Sequence, residues 1–145
     1  MEICTIGFTQ TTAERFFGRL ADARVQRLLD VRLNNTSQLA GFAKAADLPY
    51  FLRELVGATY KHEPLLAPTQ AILDAYKKRK GSWSDYERDF LALMERRRIH
   101  AVLDSADFER RTALLCSEAT AAHCHRRLVV KFLATRWPDV RALHL

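Results

Sequence analysis

The sequence predicts an α/β fold, a single domain with a small, mainly parallel sheet flanked by helices. Three observations carry that expectation. Apolar runs of strand length alternate with longer segments whose apolar residues recur at helical spacing. Helix-start residues and Gly or Pro punctuation separate the two kinds of segment. No repeat, low-complexity tract or linker interrupts residues 1–145, so one domain is expected over the whole length.

The elements follow in order. Cys4-Thr5-Ile6-Gly7 reads as a strand running into a turn. Thr11 or Thr12 can cap a helix that places Phe16, Phe17 and Leu20 on one face. Val25 to Val31 is a second strand-length run, ending at Asp30-Val31-Arg32, and a polar loop over 34–38 leads to Gly41-Phe42. Pro49 opens a helix carrying Phe51, Leu52, Leu55 and Val56, which Gly57 stops. Residues 58–62 form a third strand, closed by Pro64 and Pro68. From Thr69 a helix with Ile72, Leu73 and Tyr76 on one face runs to the basic stretch 77–80 and Gly81. Ser82 or Ser84 starts another, with Tyr86, Phe90, Leu93 and Met94 as core residues. Ala113 to Cys116 is the fourth strand, His123-Cys124 opens a helix reaching about Trp137, and 140–145 is the last strand.

Composition bounds the function classes. With 48% hydrophobic and 28% charged residues the chain is an ordinary globular domain, not a disordered one. The N-terminus lacks a basic, apolar leader, and no apolar run approaches the roughly 20 residues that span a bilayer. A soluble, cytoplasmic protein with no membrane partner is therefore expected. Three cysteines are too few for a disulfide scaffold; in a reducing compartment they are reactive, metal-binding or simply apolar. A net charge of +6 favours anionic partners, nucleic acid among them, but the signal is weak, because a modest excess of Lys and Arg is more often just a solvated surface. The 77–80 run, followed by Gly81, reads first as a solvated helix C-terminus and only second as a phosphate contact.

Reactivity is concentrated in Leu115-Cys116-Ser117-Glu118 and Cys124-His125-Arg126. In open parallel sheets ligands bind beyond the carboxyl ends of the strands. Gly7-Phe8-Thr9, Asp30-Val31-Arg32 and Cys116-Ser117-Glu118 all end predicted strands, so they should converge where the Cys124 helix begins. A helix N-terminus with Arg126 nearby favours an anion or a cysteine thiolate. Cys124, Glu118, His125 and Cys116 are thus the catalytic candidates. Glu118 serves either as general base or as a partner orienting His125 or Arg126. Arg32, Arg126, Thr9, Asp30, Ser37 and His62 are the candidates for anion or substrate binding. Arg32 is a bidentate clamp or the structural partner of Asp30, and His62 a catalytic or merely strand-end residue. Cys116, Cys124 and His125, with Cys4 as a distant fourth, could ligate a metal. Their spacing is not the paired pattern of structural zinc sites, and adjacent Cys-His side chains should diverge, so neither metal nor cofactor is expected.

The chain resembles the uncharacterised family catalogued as domain of unknown function 488. The resemblance rests on Thr5-Ile6-Gly7, Asp30-Val31-Arg32 with Ser37, Tyr60-x-His62, Leu66-Ala67-Pro68-Thr69, Trp83-x-x-Tyr86-Glu87, and the Cys116–Arg126 motif. It implies a compact α/β fold and no agreed activity. Phe8 and Thr9 stand where the family usually has His and Ser, and the proline common after Asp-Val-Arg is missing. Leu65 replaces a usual acidic residue, with Glu63 close by.

The leading functional expectation is a small enzyme acting on an anionic substrate, nucleic acid or a nucleotide being slightly preferred. Two alternatives are a DNA- or RNA-binding module resting on runs 77–80 and 96–98, and a thiol redox protein using Cys116 and Cys124.

Overall fold

Strand β1 (Glu2–Gly7) leads into helix α1 (Ala13–Asp22), and β2 (Arg27–Asp30) into α2 (Leu48–Leu55). Strand β3 (Thr59–His62) is followed by α3 (Gln70–Lys77), α4 (Trp83–Arg96) and the short α5 (Ile99–Val102). Strand β4 (Thr112–Cys116), α6 (His125–Ala134) and β5 (Arg141–His144) complete the chain. This computed structural model describes residues 1–36 and 41–145. Ser37 lies outside the described residues.

The strands form one sheet in the order β3-β2-β4-β1-β5, and every pairing is parallel. The expected α/β class holds, and "mainly parallel" sharpens to wholly parallel among the described residues. The three central strands are buried almost throughout, as a parallel sheet covered on both faces requires. The edge strands β3 and β5 are the exposed ones.

Side-chain alternation sorts the core into two layers. On one face Cys4, Ile6, Leu28 and Leu115 meet Phe16, Phe17 and Leu20 of α1 and Leu48 and Leu52 of α2. On the other, Ile3, Leu29, Leu114 and Cys116 meet α4 and α6. Burying each such side chain contributes roughly 1.5–3 kcal/mol, which is why the apolar spacing dictates which helix face turns inward.

The predicted caps form. Thr12, Thr69 and Ser82 hydroxyls accept from the backbone N–H of Arg15, Ile72 and Asp85 at 3.2, 3.2 and 3.1 Å. Gly57 takes φ +74, the left-handed conformation that ends α2. Helix α5 was not foreseen, because the break before it falls on Arg98, at φ 53, rather than on a glycine. Beside it, Arg97 donates to the carbonyls of Leu65 and Ala67 at 2.8 and 2.7 Å. Part of the basic run 96–98 is therefore occupied in pinning the turn that follows β3.

Candidate functional site

Strand order places the site. The connection leaving β1 covers one face with α1, whereas the connection leaving the adjacent β4 covers the other with α6. The chain therefore parts at the carboxyl ends of β1 and β4, the position where open α/β sheets leave a crevice. Next to it, beyond the carboxyl ends of β2 and β4, lies a cleft with a cavity volume of about 120 Å³, and Arg32, Cys116, Glu118, Cys124 and His125 all line it. Five of the ten candidate residues are thus brought to one wall by parallel strand ends.

Cys116 is the last residue of β4 and faces α6, while Cys124 is the N-cap of α6. Their sulfurs are joined as a disulfide. The two residues are 4% and 2% exposed, yet both reach the cleft. Cys124 enters the helix from an extended conformation (φ −135, ψ 140), and no side chain caps the first turn. That extended step keeps the sulfur of Cys124 and the imidazole of His125 on the same side, contrary to the divergence expected of adjacent residues.

His125 is buried, and its Nε2 lies 2.6 Å from the carbonyl oxygen of Val31. A carbonyl only accepts, so Nε2 carries the proton and donates. Burial lowers this imidazole to about 4 against the opposing Val31 carbonyl, and Arg126 adds to the lowering. It is neutral at pH 7, which leaves a lone pair on Nδ1, 3.7 Å from the Cys116 sulfur. Stability should respond accordingly. Above pH 6.5 the imidazole is neutral whether the chain is folded or not, but between 6.5 and about 4 only the unfolded chain takes the proton. Stability is then lost as pH falls through that window, by about 3 kcal/mol in all. Urea midpoints measured from pH 7 to pH 4 should fall more steeply for the native protein than for His125→Gln; parallel curves would count against the neutral buried imidazole.

Arg126 is 1% exposed and sits behind the cleft wall. Its Nη1 donates to the Glu118 carbonyl at 2.6 Å and points at the Cys124 sulfur at 3.7 Å. Its Nε is buried without a partner. Burial pulls this guanidinium down to about 10, with Glu118 opposing, so it stays cationic at neutral pH. The Glu118 side chain instead pairs with Lys77 at 2.8 Å across the mouth of the cleft. Both ends of that pair are about half exposed, so it contributes at most about 1 kcal/mol and opens readily.

The remaining candidates support the wall. Arg32 reaches the cleft, but its Nε and Nη2 hold the Asp30 carboxylate at 2.8 Å each, and Nη2 also donates to the Ala43 carbonyl at 2.7 Å. Asp30 takes a further bond from the Tyr60 hydroxyl at 2.7 Å. Burial first, then Asp30, pushes that phenol up to about 12. His62 Nε2 is 3.0 Å from the Arg32 carbonyl, and the Thr9 hydroxyl donates to the Ser117 carbonyl at 2.7 Å. Thr9, Asp30, His62 and Arg126 therefore do not line the cleft; each touches a backbone or side chain that does.

Sequence reasoning missed Lys77, Tyr76, Tyr86 and His123, which also line the cleft. Burial, with Glu118 adding to it, raises the Tyr86 phenol and keeps it protonated. The His123 ring packs 5.0 Å from that of Trp83. Spacing on α3 and α4 marks such aromatics as core, and nothing local signals that Lys77 meets Glu118 across 41 residues.

Comparison with known families fits this architecture. The chain matches the domain of unknown function DUF488 over residues 12–133. It belongs to that family. The match includes the entire cleft wall from Arg32 to His125 and begins after Thr5-Ile6-Gly7, so DUF488 membership rests on the site-bearing part of the fold rather than on the first strand. No curated protein and no solved structure is significantly similar to the chain. Among the described residues, no helix is long and apolar enough to cross a membrane.

Proposed function

We propose that the protein is a small thiol-dependent enzyme that exchanges two electrons between the Cys116–Cys124 pair and a small disulfide bound in the cleft. The observation that carries this reading is the sulfur pair itself, joined at a strand end and a helix N-cap, with a buried guanidinium on one sulfur and an imidazole lone pair on the other.

In the reduced protein the Cys124 thiolate is stabilised by Arg126 and by the open first turn of α6. It attacks one sulfur of the substrate, forming a mixed disulfide and releasing one thiolate. The Cys116 thiol, oriented by His125 Nδ1, gives its proton to solvent at the cleft, and its sulfur attacks that of Cys124. The second substrate thiolate leaves and takes its proton from solvent, and the protein is left as the disulfide. Two protein thiols have lost two electrons, and one substrate disulfide has become two thiols.

The cavity of about 120 Å³ favours a small substrate over an enclosed nucleotide, since ordinary ligand sites run to roughly 300–1,000 Å³. An anionic substrate remains part of the reading. A substrate carboxylate would displace Glu118 from Lys77, whereas Arg32 and Arg126 already hold protein groups.

The test is to incubate the reduced protein with an aromatic disulfide and follow thiol release and mass. The native protein should return to its disulfide with two thiols released. Cys116→Ser should stop at a stable mixed disulfide on Cys124, and Cys124→Ser should lose the fast reaction. Inert native protein, or undiminished reaction in folded Cys124→Ser, would overturn the proposal.

A further inference from the structure

The same corner of the fold holds a second kind of chemistry. The sulfurs of Cys116 and Cys124 and a nitrogen of His125 all lie within 4.8 Å of one another, and all three residues are buried. We propose that the reduced pair and His125 Nδ1 form a three-ligand site for a borderline-soft divalent cation, zinc above all, with its fourth coordination position open to the cleft. The inference does not rest on thiol exchange, because it needs only two thiolates and one imidazole lone pair.

Three features argue for it. Donors around a tetrahedral zinc, with bonds of about 2.3 Å to sulfur and about 2.0–2.1 Å to nitrogen, stand roughly 3.5–4 Å apart. Cys116 Sγ and His125 Nδ1 are already at 3.7 Å, and the sulfurs need only part as the disulfide is reduced. The imidazole is also held as a zinc-binding histidine is held. Its Nε2–H donates to the Val31 carbonyl, which fixes both the ring plane and the tautomer that aims Nδ1 at the sulfurs. Lastly, the donors come from a strand end and a helix start rather than from one loop, so the sheet presets their spacing. Two thiolates and one imidazole with a vacant fourth position is a donor set that keeps zinc open to water or a substrate atom, and Glu118 stands on the same wall.

Metal and disulfide exclude each other. A small disulfide oxidises the two ligating thiolates to the Cys116–Cys124 bond, becomes two thiolates itself, and leaves the cation, still divalent, with the imidazole as its one remaining donor. The site would therefore load only when the protein is reduced and unload on oxidation.

Cobalt(II) tests this directly, with phosphine-reduced protein kept anaerobic. The expected result is one cobalt per chain, with thiolate-to-metal charge-transfer bands and intense tetrahedral ligand-field bands, all abolished by one equivalent of zinc. The oxidised protein should give none of them. Cys116→Ala, Cys124→Ala and His125→Gln should each weaken binding by more than the 10–100-fold typical of a lost supporting hydrogen bond. Cys4→Ala, on the opposite core face, should bind as the native protein does. Circular dichroism establishes which variants fold, and the comparison of reduced with oxidised native protein needs none of them. Absence of the bands from reduced native protein, or their persistence after oxidation or in folded Cys116→Ala, would overturn the inference whether or not the thiols exchange with disulfides.

Discussion

Asp30→Ala is expected to destabilise the protein by about 3–5 kcal/mol, the usual result of leaving one charge of a buried pair alone. Asp30 is 0% exposed and Arg32 3%. One carboxylate oxygen accepts from the backbone N–H of Arg32 at 3.2 Å and from its Nε at 2.8 Å. The other accepts from Nη2 and from the Tyr60 hydroxyl. Removing the carboxylate leaves the guanidinium with the Ala43 carbonyl and the face of Phe8, 5.1 Å away, which balance little of its charge. With total stabilities of about 5–15 kcal/mol, a loss of this size leaves little folded margin.

The pairing itself is separable from the damage of breaking it. Arg32→Met alone should also be costly, because Asp30 then stays buried with fewer donors. The double variant Asp30→Ala/Arg32→Met should recover a large part of the loss, since neither charge remains. Urea unfolding of the four proteins measures this, with a coupling energy near zero being the outcome that contradicts it.

That network shows where the sequence was readable and where it was not. Asp30 and Arg32 stand two residues apart where an apolar strand-length run ends, so their pairing could be anticipated from spacing alone. Tyr60 and the Ala43 carbonyl could not, because they arrive from β3 and from a turn beyond the polar loop. The same division runs through the site. Cys116 at a strand end and Cys124 at a helix start followed from the apolar pattern, and the parallel sheet then had to place them together. The tautomer of His125 is set by the Val31 carbonyl, 94 residues away in sequence, which no local pattern can indicate. Arg126 gave the most misleading local signal. A cation after a helix start suggests a ligand clamp, yet this one is turned inward to the Glu118 carbonyl and the Cys124 sulfur. Its charge acts on the thiol instead of on solvent.

The largest effect on the site from a minimal change should come at Gly7. A methyl group there would overlap the Glu118 carbonyl oxygen, lie 2.7 Å from the Glu118 carbonyl carbon and stand 3.0 Å from Arg126 Nη1. The first two are backbone atoms that cannot swing aside, so Gly7→Ala has to displace the turn that follows β4. That turn is tied down on both sides: Thr9 donates to the Ser117 carbonyl through its hydroxyl at 2.7 Å and its amide at 3.3 Å, and Arg126 holds Glu118 at 2.6 Å. Overpacking of this kind costs about 1–3 kcal/mol and here should reach the upper end. Because Gly7 pairs in register with Cys116, the displaced segment carries one sulfur with it. Gly18→Ala is the matched comparison, since its methyl meets nothing within 4 Å in the middle of α1. There the substitution should stabilise by about 0.5–1 kcal/mol through helix propensity. Thermal or urea unfolding should therefore move in opposite directions for the two glycines, and only Gly7→Ala should alter how fast the reduced Cys116–Cys124 pair reoxidises. A Gly7→Ala protein with native stability and native reoxidation would mean that the close approach of β1 to the Glu118 carbonyl does not hold the site in place.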